Sequence, residues 1–387
     1  MDHSMKHRQE YLSGKRVLPK PVSSDIASVI DNMDAYNGGR LRAACQLMRD
    51  KYSQEDVTIG LSIAGALTPA GLGPSTIIPL MNHGFVDWLV ATGANMYHDL
   101  HFAFNMPLFR GSHTVNDADL RDKGVTRIYD ILFDYQDVLM ATDKILRKIM
   151  LRPEFQHEMG TREYYHHLGK VINEYEQKNG IGEVSVLAAA YRNGIPVFTS
   201  SPGDSTIGMN VAGLELLAKA AGLKDHFKLK INPSIDVNDS TAIILNAKKY
   251  ENGKTGVLLI GGGSPKNFLL QTEPQIQEVL MIPEAGQDYD INITDARPDT
   301  GGLSGAPPSE AVSWGKIDPT KLDETVTAYI DVTVAFPLLT AYVRQTTKPK
   351  KLKRLYERGE ELRKKLIKSY LENNKEIDEL KGMMKAL

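Results

Sequence analysis

The sequence predicts an α/β fold: a mainly parallel sheet with helices on both faces. Two observations predict it. Short apolar runs recur along the chain, separated by stretches of helical character. Strands joined by helices form parallel sheets that are covered on both sides. Most of the runs also end in Gly, Ser, Thr or Asp. Those residue types suit the carboxyl edge of such a sheet, where ligands bind.

The first helical stretch is "SSDIASVIDNMDAYNGGRLRAACQLMRDKY", residues 23–52. Ile26, Val29, Ile30 and Met33 recur at helical spacing, and Ser24 or Asp25 can cap it. Gly38 and Gly39 are expected to interrupt it. "VTIGLSIAG" (57–65) reads as a buried strand, followed by a Gly- and Pro-rich turn (66–74) and a short helix from Ser75. "VDWLVATG" (86–93) is a second strand. The polar region 94–170, rich in His and Tyr, reads as mostly helical. "SVLAAAYRNG" (185–194) is a helix ended by Gly, and "IPVFTSS" (195–201) is a strand. Three more strands follow: "TGVLLIGGG" (255–263), "YDINIT" (289–294) and "VTAYIDV" (326–332). "TGGLSGAPPS" (300–309) marks its surroundings as a loop rather than a helix. From Lys348 the chain is rich in Lys, Arg and Glu. Leu352, Leu355, Leu362 and Leu366 fall at roughly helical spacing. That pattern predicts an amphipathic helix packed on the body or on a partner subunit. The chain thus divides into an arm (1–22), a body (23–347) and a basic C-terminal helix (348–387).

The totals narrow the function. At 387 residues the chain can bury a substantial core. A net charge of −2 gives no reason to expect nucleic acid or an anionic membrane as partner. The single cysteine, Cys45, excludes an internal disulfide and a Cys-based metal cluster, so no metal site is expected. Cysteine usage and an N-terminal stretch without an apolar core point to the cytoplasm. No run reaches the roughly 20 apolar residues of a membrane helix.

The strand ends carry Gly65, Thr92 and Gly93, Ser200 and Ser201, the triple glycine 261–263, Thr294 and Asp331. Together they outline a nucleotide site assembled from several strands. "GGGSPK" (261–266) departs from the G-x-G-x-x-G fingerprint because Lys266 stands where the last Gly belongs. It allows close approach of backbone to a ligand, or a tight turn. Asp204 can accept hydrogen bonds from ribose hydroxyls or cap the helix that follows. "EAVSWGKI" (310–317) places Glu310, Trp314 and Lys316 together. A desolvated Lys becomes a nucleophile toward carbonyls and imines. An aromatic face attracts cations, and a carboxylate holds an ammonium or moves a proton. The three suggest Schiff-base chemistry with an amine.

"SEAVSWGKI" (309–317) resembles the catalytic motif of the deoxyhypusine synthase family. "VDWLVATGANMYHDL" (86–100), "PVFTSSPGDSTIG" (196–208), "LLIGGGSPKN" (258–267) and "YIDVTVAFPLL" (329–339) match in the same order, so the resemblance covers roughly 15–345. It implies a Rossmann-like fold and an NAD-dependent transfer of aminobutyl groups, by a homotetramer with sites at subunit interfaces. In the family, NAD oxidises spermidine, the motif Lys carries the butyl-imine, and an acceptor amine displaces it. Carried over, Lys316 is the nucleophile, Trp314 packs on the polyamine chain, and Glu310 binds or deprotonates an amine. Gly65, Thr92, Gly93, Asp204, Thr294, Ser304, Gly305 and Asp331 would lie around NAD. Three substrate-lining positions depart from the family pattern. Met209 and Leu303 stand where acids are usual, and Asn267 stands where a His is usual. An ammonium buried without a carboxylate is costly. The departures therefore favour a different or less charged amine, and a small-amine acceptor. The alternatives are a translation-factor lysine or putrescine as acceptor, with His98, Asp99 and His101 replacing the missing acids. The alternative of another class is an NAD-binding protein without turnover.

Overall fold

The computed structural model describes residues 24–374 and 376–386. The arm expected over 1–22 lies outside them. Six strands form the central sheet. They are β1 (Val57–Ile63), β2 (Trp88–Ala91), β3 (Val197–Thr199), β4 (Lys254–Ile260), β5 (Tyr289–Thr294) and β6 (Thr325–Tyr329). Every pairing is parallel, and the spatial order is β3-β2-β1-β4-β5-β6. That is the doubly wound Rossmann order, in which the winding reverses between β1 and β4.

The helices used below are, in chain order, α1 (Ile26–Asp31), α2 (Tyr36–Leu47), α3 (Gly93–Ala103), α4 (Thr161–Asn179), α5 (Val186–Asn193), α6 (Thr206–Ala220), α7 (Pro233–Leu245), α8 (Gly263–Leu270), α9 (Pro308–Ser313), α10 (Val332–Thr346) and α11 (Gly359–Asn373). Because side chains alternate across a strand, each strand feeds two cores. Leu258 and Ile260 of β4 pack on the side of α2 and α10, with Leu41, Phe336 and Leu339. Val257 and Leu259 face the other side, with Ile243 of α7, Leu269 of α8 and Leu362 of α11.

Several expectations change in detail. Gly38 and Gly39 lie inside α2, and the break falls at 32–35 instead. Asp25 does cap α1, accepting from Ser28 N at 2.8 Å. Region 94–170 contains a three-stranded antiparallel sheet as well as helices, with strands Phe109–Arg110, Val125–Ile128 and Ile131–Asp134. Its β-branched residues favour extended backbone, and Tyr129 closes the turn with φ 51°. The C-terminal region is not one helix. A non-helical strap precedes α11, and a further helix spans Ile377–Lys385. The strap is tied down through Lys350 Nζ, which donates to Tyr52 O at 2.8 Å, while Leu355, Leu362 and Leu366 are buried in the second core. Among the described residues no helix is long and apolar enough to cross a membrane.

Candidate functional site

The expected loop around Lys316 is half helix. Pro307 and Pro308 fix φ near the value a first helical turn needs, so α9 starts there and carries Glu310 in its first turn. Trp314 ends it, and Gly315 turns the chain with φ 65°. A Cβ at Gly315 would lie 2.4 Å from Gln277 Oε1, so this turn accepts only glycine. Gln277 Nε2 donates to Gly315 O at 2.7 Å. Lys316 N donates to Ala311 O at 3.0 Å, and Lys316 O accepts from Gln287 N at 3.0 Å. The backbone of Lys316 is therefore held on both sides, and its side chain starts from a fixed point.

That side chain enters a cavity of about 290 Å³ lined by Lys266, Asn267, Asp290, Leu303, Glu310, Trp314 and others. Lys316 Nζ donates to Asn267 Oδ1 at 2.9 Å and lies 5.7 Å from the centre of the Trp314 ring. Partial burial holds the Lys316 ammonium below the ordinary lysine value, with the carboxylates of Glu310 and Glu278 pulling the other way. Burial also lowers Lys266, opposed by the carboxyl of Asp290. Lys266 Nζ donates to Ala306 O at 2.8 Å. The cavity thus holds two amines of reduced basicity, one of them beside a carboxylate and an aromatic face. This arrangement suits nucleophilic amine chemistry.

The fold sorts the other expected residues. Leu303 and Asn267 line the cavity with Lys316. Met209, on α6, is 66% exposed and is not among its lining residues. Gly65 follows β1 and the triple glycine follows β4, so they flank the point where the winding reverses. Ala64 N donates to Ile260 O across that gap at 3.0 Å. Thr92 Oγ1 donates to Gly65 O at 2.7 Å and caps α3. Gly93 must be small, since a Cβ there would sit 2.4 Å from Ser205 Oγ. Asp204 is exposed and does not cap α6, which Ser205 does. Thr294 Oγ1 accepts from Ala296 N at 3.1 Å, and Asp331 caps α10 by accepting from Thr333 N at 2.8 Å. Ser304 and Gly305 sit on the loop leading to α9. Ser304 lies where a Cβ on Gly262 would be, and Gly305 is pressed against Arg297 O.

The candidates past β2 are structural. Asp99 is buried and accepts from Ser185 Oγ at 2.5 Å, Val186 N at 2.8 Å and Leu187 N at 3.2 Å, capping α5. His98 and His101 are 3.0 Å apart, and His101 also meets Thr142 Oγ1 at 3.0 Å. None of the three lines the Lys316 cavity. The acid that does line it alongside Glu310 is Asp290, which the motifs did not mark. Its signal was present in "YDINIT". Asp290 and Asn292 alternate with Ile291 and Ile293 in a strand buried on both faces. They sit in register with Val257 and Leu259 of β4.

The comparisons with known proteins agree with this architecture. The family model for deoxyhypusine synthase matches residues 25–343. The chain is 50% identical over 362 residues to a deoxyhypusine synthase-like protein of Nostoc punctiforme, covering 92% of this chain and 90% of that one. A deoxyhypusine synthase-like protein of Thermosynechococcus vestitus is 50% identical over 361 residues, covering 92% and 88%. A crystal structure assigned as a deoxyhypusine synthase of Entamoeba histolytica superposes with TM-score 0.52 at 14% identity, covering 83% of this chain and 94% of that one, and speaks to the fold alone. The fold is a doubly wound, parallel α/β type, and a pocket holds Lys316 with Lys266 and Asp290. The chain belongs to the deoxyhypusine synthase family.

Proposed function

We propose that the protein is an NAD-dependent transferase that moves an aminobutyl-type group through an imine on Lys316 to a small amine acceptor. One observation carries this reading. Lys316 Nζ is half-buried, lowered in basicity and held at 2.9 Å by the neutral Asn267 amide, with Trp314 and Glu310 beside it. A lysine that only carried surface charge would need none of that.

Neutral Lys316 Nζ adds to the carbon of the donor imine. The departing amine leaves with a proton, and the butyl carbon stays as an imine on Nζ. The acceptor amine repeats the exchange and frees Lys316. Glu310 takes the proton that Lys316 must lose and returns it to the leaving amine. Trp314 shields the alkyl chain and offers its face to a cationic end.

The residues at the winding reversal fit NAD. Gly65 and Gly263 have φ near 64° and 62°, and a Cβ on either would meet nothing within 4 Å, so backbone is open to a ligand there. Exposed Asp204, past β3, and Asp331, past β6, lie on the same carboxyl edge and would be available for ribose hydroxyls, with Thr92, Gly93, Thr294, Ser304 and Gly305 on the loops between them. When bound, NAD supplies the two-electron oxidation of the donor amine and the reduction of the product imine.

The test is a trap. The protein is mixed with NAD and spermidine, putrescine, agmatine or diaminopropane, reduced with borohydride and weighed intact. A mass gain mapped to Lys316 is expected. No gain with any amine, despite an NAD-induced rise in melting temperature, leaves a nucleotide-binding protein without this turnover. No melting shift at saturating NAD removes the cofactor assignment, since a ligand at a hundred times its Kd stabilises by about 2.7 kcal/mol.

A further inference from the structure

Asp290 lines the Lys316 cavity from the strand side. It is 2% exposed, and its Oδ1 has no hydrogen-bond partner. Asn292, the next residue on the same face of β5, is 1% exposed and has both amide atoms unpartnered. At these levels β4 places Val257 and Leu259 on one side and β6 places Thr325 and Thr327 on the other. A carboxyl and an amide thus stand within the buried sheet, and no neighbour answers Asp290 Oδ1 or the Asn292 amide. Buried polar groups without partners are costly, and those that persist call for an explanation in a ligand or a reaction.

Lys266 is the cation that acts on Asp290 electrostatically, but its Nζ donates to Ala306 O, and among the described residues no Lys or Arg nitrogen comes within 4 Å of the Asp290 carboxyl to pair with it. The other acid of the cavity, Glu310, is exposed and lies on α9, close in sequence to Lys316. The two carboxylates therefore sit at two different places, one at the buried floor and one at the rim. The rim position 303 is Leu, and position 209 stands outside the cavity.

We infer that Asp290 is the specificity-determining carboxylate of this cavity, receiving the ammonium at the non-reacting end of a diamine-type donor while the other end meets Lys316. Asn292, one level further along β5, is buried and does not line the cavity, so the ammonium is read by Asp290. The cavity, about 290 Å³ and mostly apolar between the two ends, takes the alkyl chain. Burial, which pushes the Asp290 carboxyl up to about 7, makes the acid ready to be stabilised by an incoming cation. This inference rests on the amine reading above.

The experiment uses the full chain with NAD and compares wild type with Asp290→Asn. Asparagine keeps the volume and removes only the charge; Asp290→Ser serves if Asp290→Asn does not fold. Two readouts are taken: borohydride trapping at Lys316, and the melting shift given by putrescine or butylamine without borohydride. In wild type, putrescine is expected to act at lower concentration than butylamine. In Asp290→Asn that preference is expected to shrink by about tenfold or more, the scale of one charge-assisted hydrogen bond. The shift with NAD alone stays the same. If wild type and variant keep the same putrescine-to-butylamine ratio, or putrescine shifts neither, Asp290 does not read the ammonium. If putrescine shifts wild type but not the variant while no adduct forms, Asp290 keeps its role and the transfer reading falls.

Discussion

Asp99, on α3, and Asp290, in strand β5, are both buried acids, and burial pushes both carboxyls up, to about 6 and about 7. They differ in what answers them. Asp99 takes three hydrogen bonds from the start of α5 and closes that helix end. Its neighbours His98 and His101 bond each other and Thr142, and burial pushes them down to about 4 and about 3, so both stay neutral. Asp290 leaves an oxygen unpartnered at the wall of a cavity that also holds Lys316. A saturated polar cluster stabilises the fold. An unsaturated one facing a cavity costs stability and remains available to a ligand.

The comparison can be broken or sharpened by substitution. The largest effect is expected from Lys316→Ala. If the open cluster is the reactive one, trapping disappears and amine transfer falls about a thousandfold or more, measured by turnover of labelled donor. Asp99→Ala is expected to destabilise the chain by about 3 kcal/mol in urea unfolding, because the α5 donors and the Ser185 hydroxyl lose their acceptor. Lys316 chemistry should survive in whatever remains folded. Unchanged stability would show that Asp99 is not a structural cap.

Asp290 should respond to pH instead. Its folded-state value is raised from 3.8 to about 7, so the folded chain holds that proton more tightly than the unfolded one. The stability this contributes is whole below about pH 4 and is lost as pH rises through about 7. Asp290→Asn removes the dependence. Variant and wild type should be level near pH 4, and the variant should be more stable by a few kcal/mol at about pH 8, read from denaturation midpoints. A constant difference across that range would mean that the carboxyl titrates normally. The smallest effect is expected from Trp314→Leu. Trp314 is 58% exposed and its ring centre lies 5.7 Å from Lys316 Nζ, so amine use should weaken only about threefold.

The alternation of apolar strands with helices was legible in the sequence, because a strand buried on both faces must be apolar on both. The grouping of Glu310, Trp314 and Lys316 around one cavity was legible too, since they are close along the chain. The helix at 308–313 was obscured because Gly and Pro signal loops, although Pro at a first turn also starts helices. The hairpin within 109–134 was hidden among His- and Tyr-rich helical stretches.

By itself the sequence determined the kind of sheet, the glycines at its carboxyl edge and the lysine that enters the cavity, because each depends on local periodicity or on neighbours along the chain. The tertiary structure alone decided which acids share a cavity with that lysine. In the sequence Asp99 was a site candidate and Asp290 was not marked; packing set the first against a helix end and the second against an open cavity. Hydrogen-bond satisfaction is a property of the assembled neighbours, and those come from segments far apart in the chain.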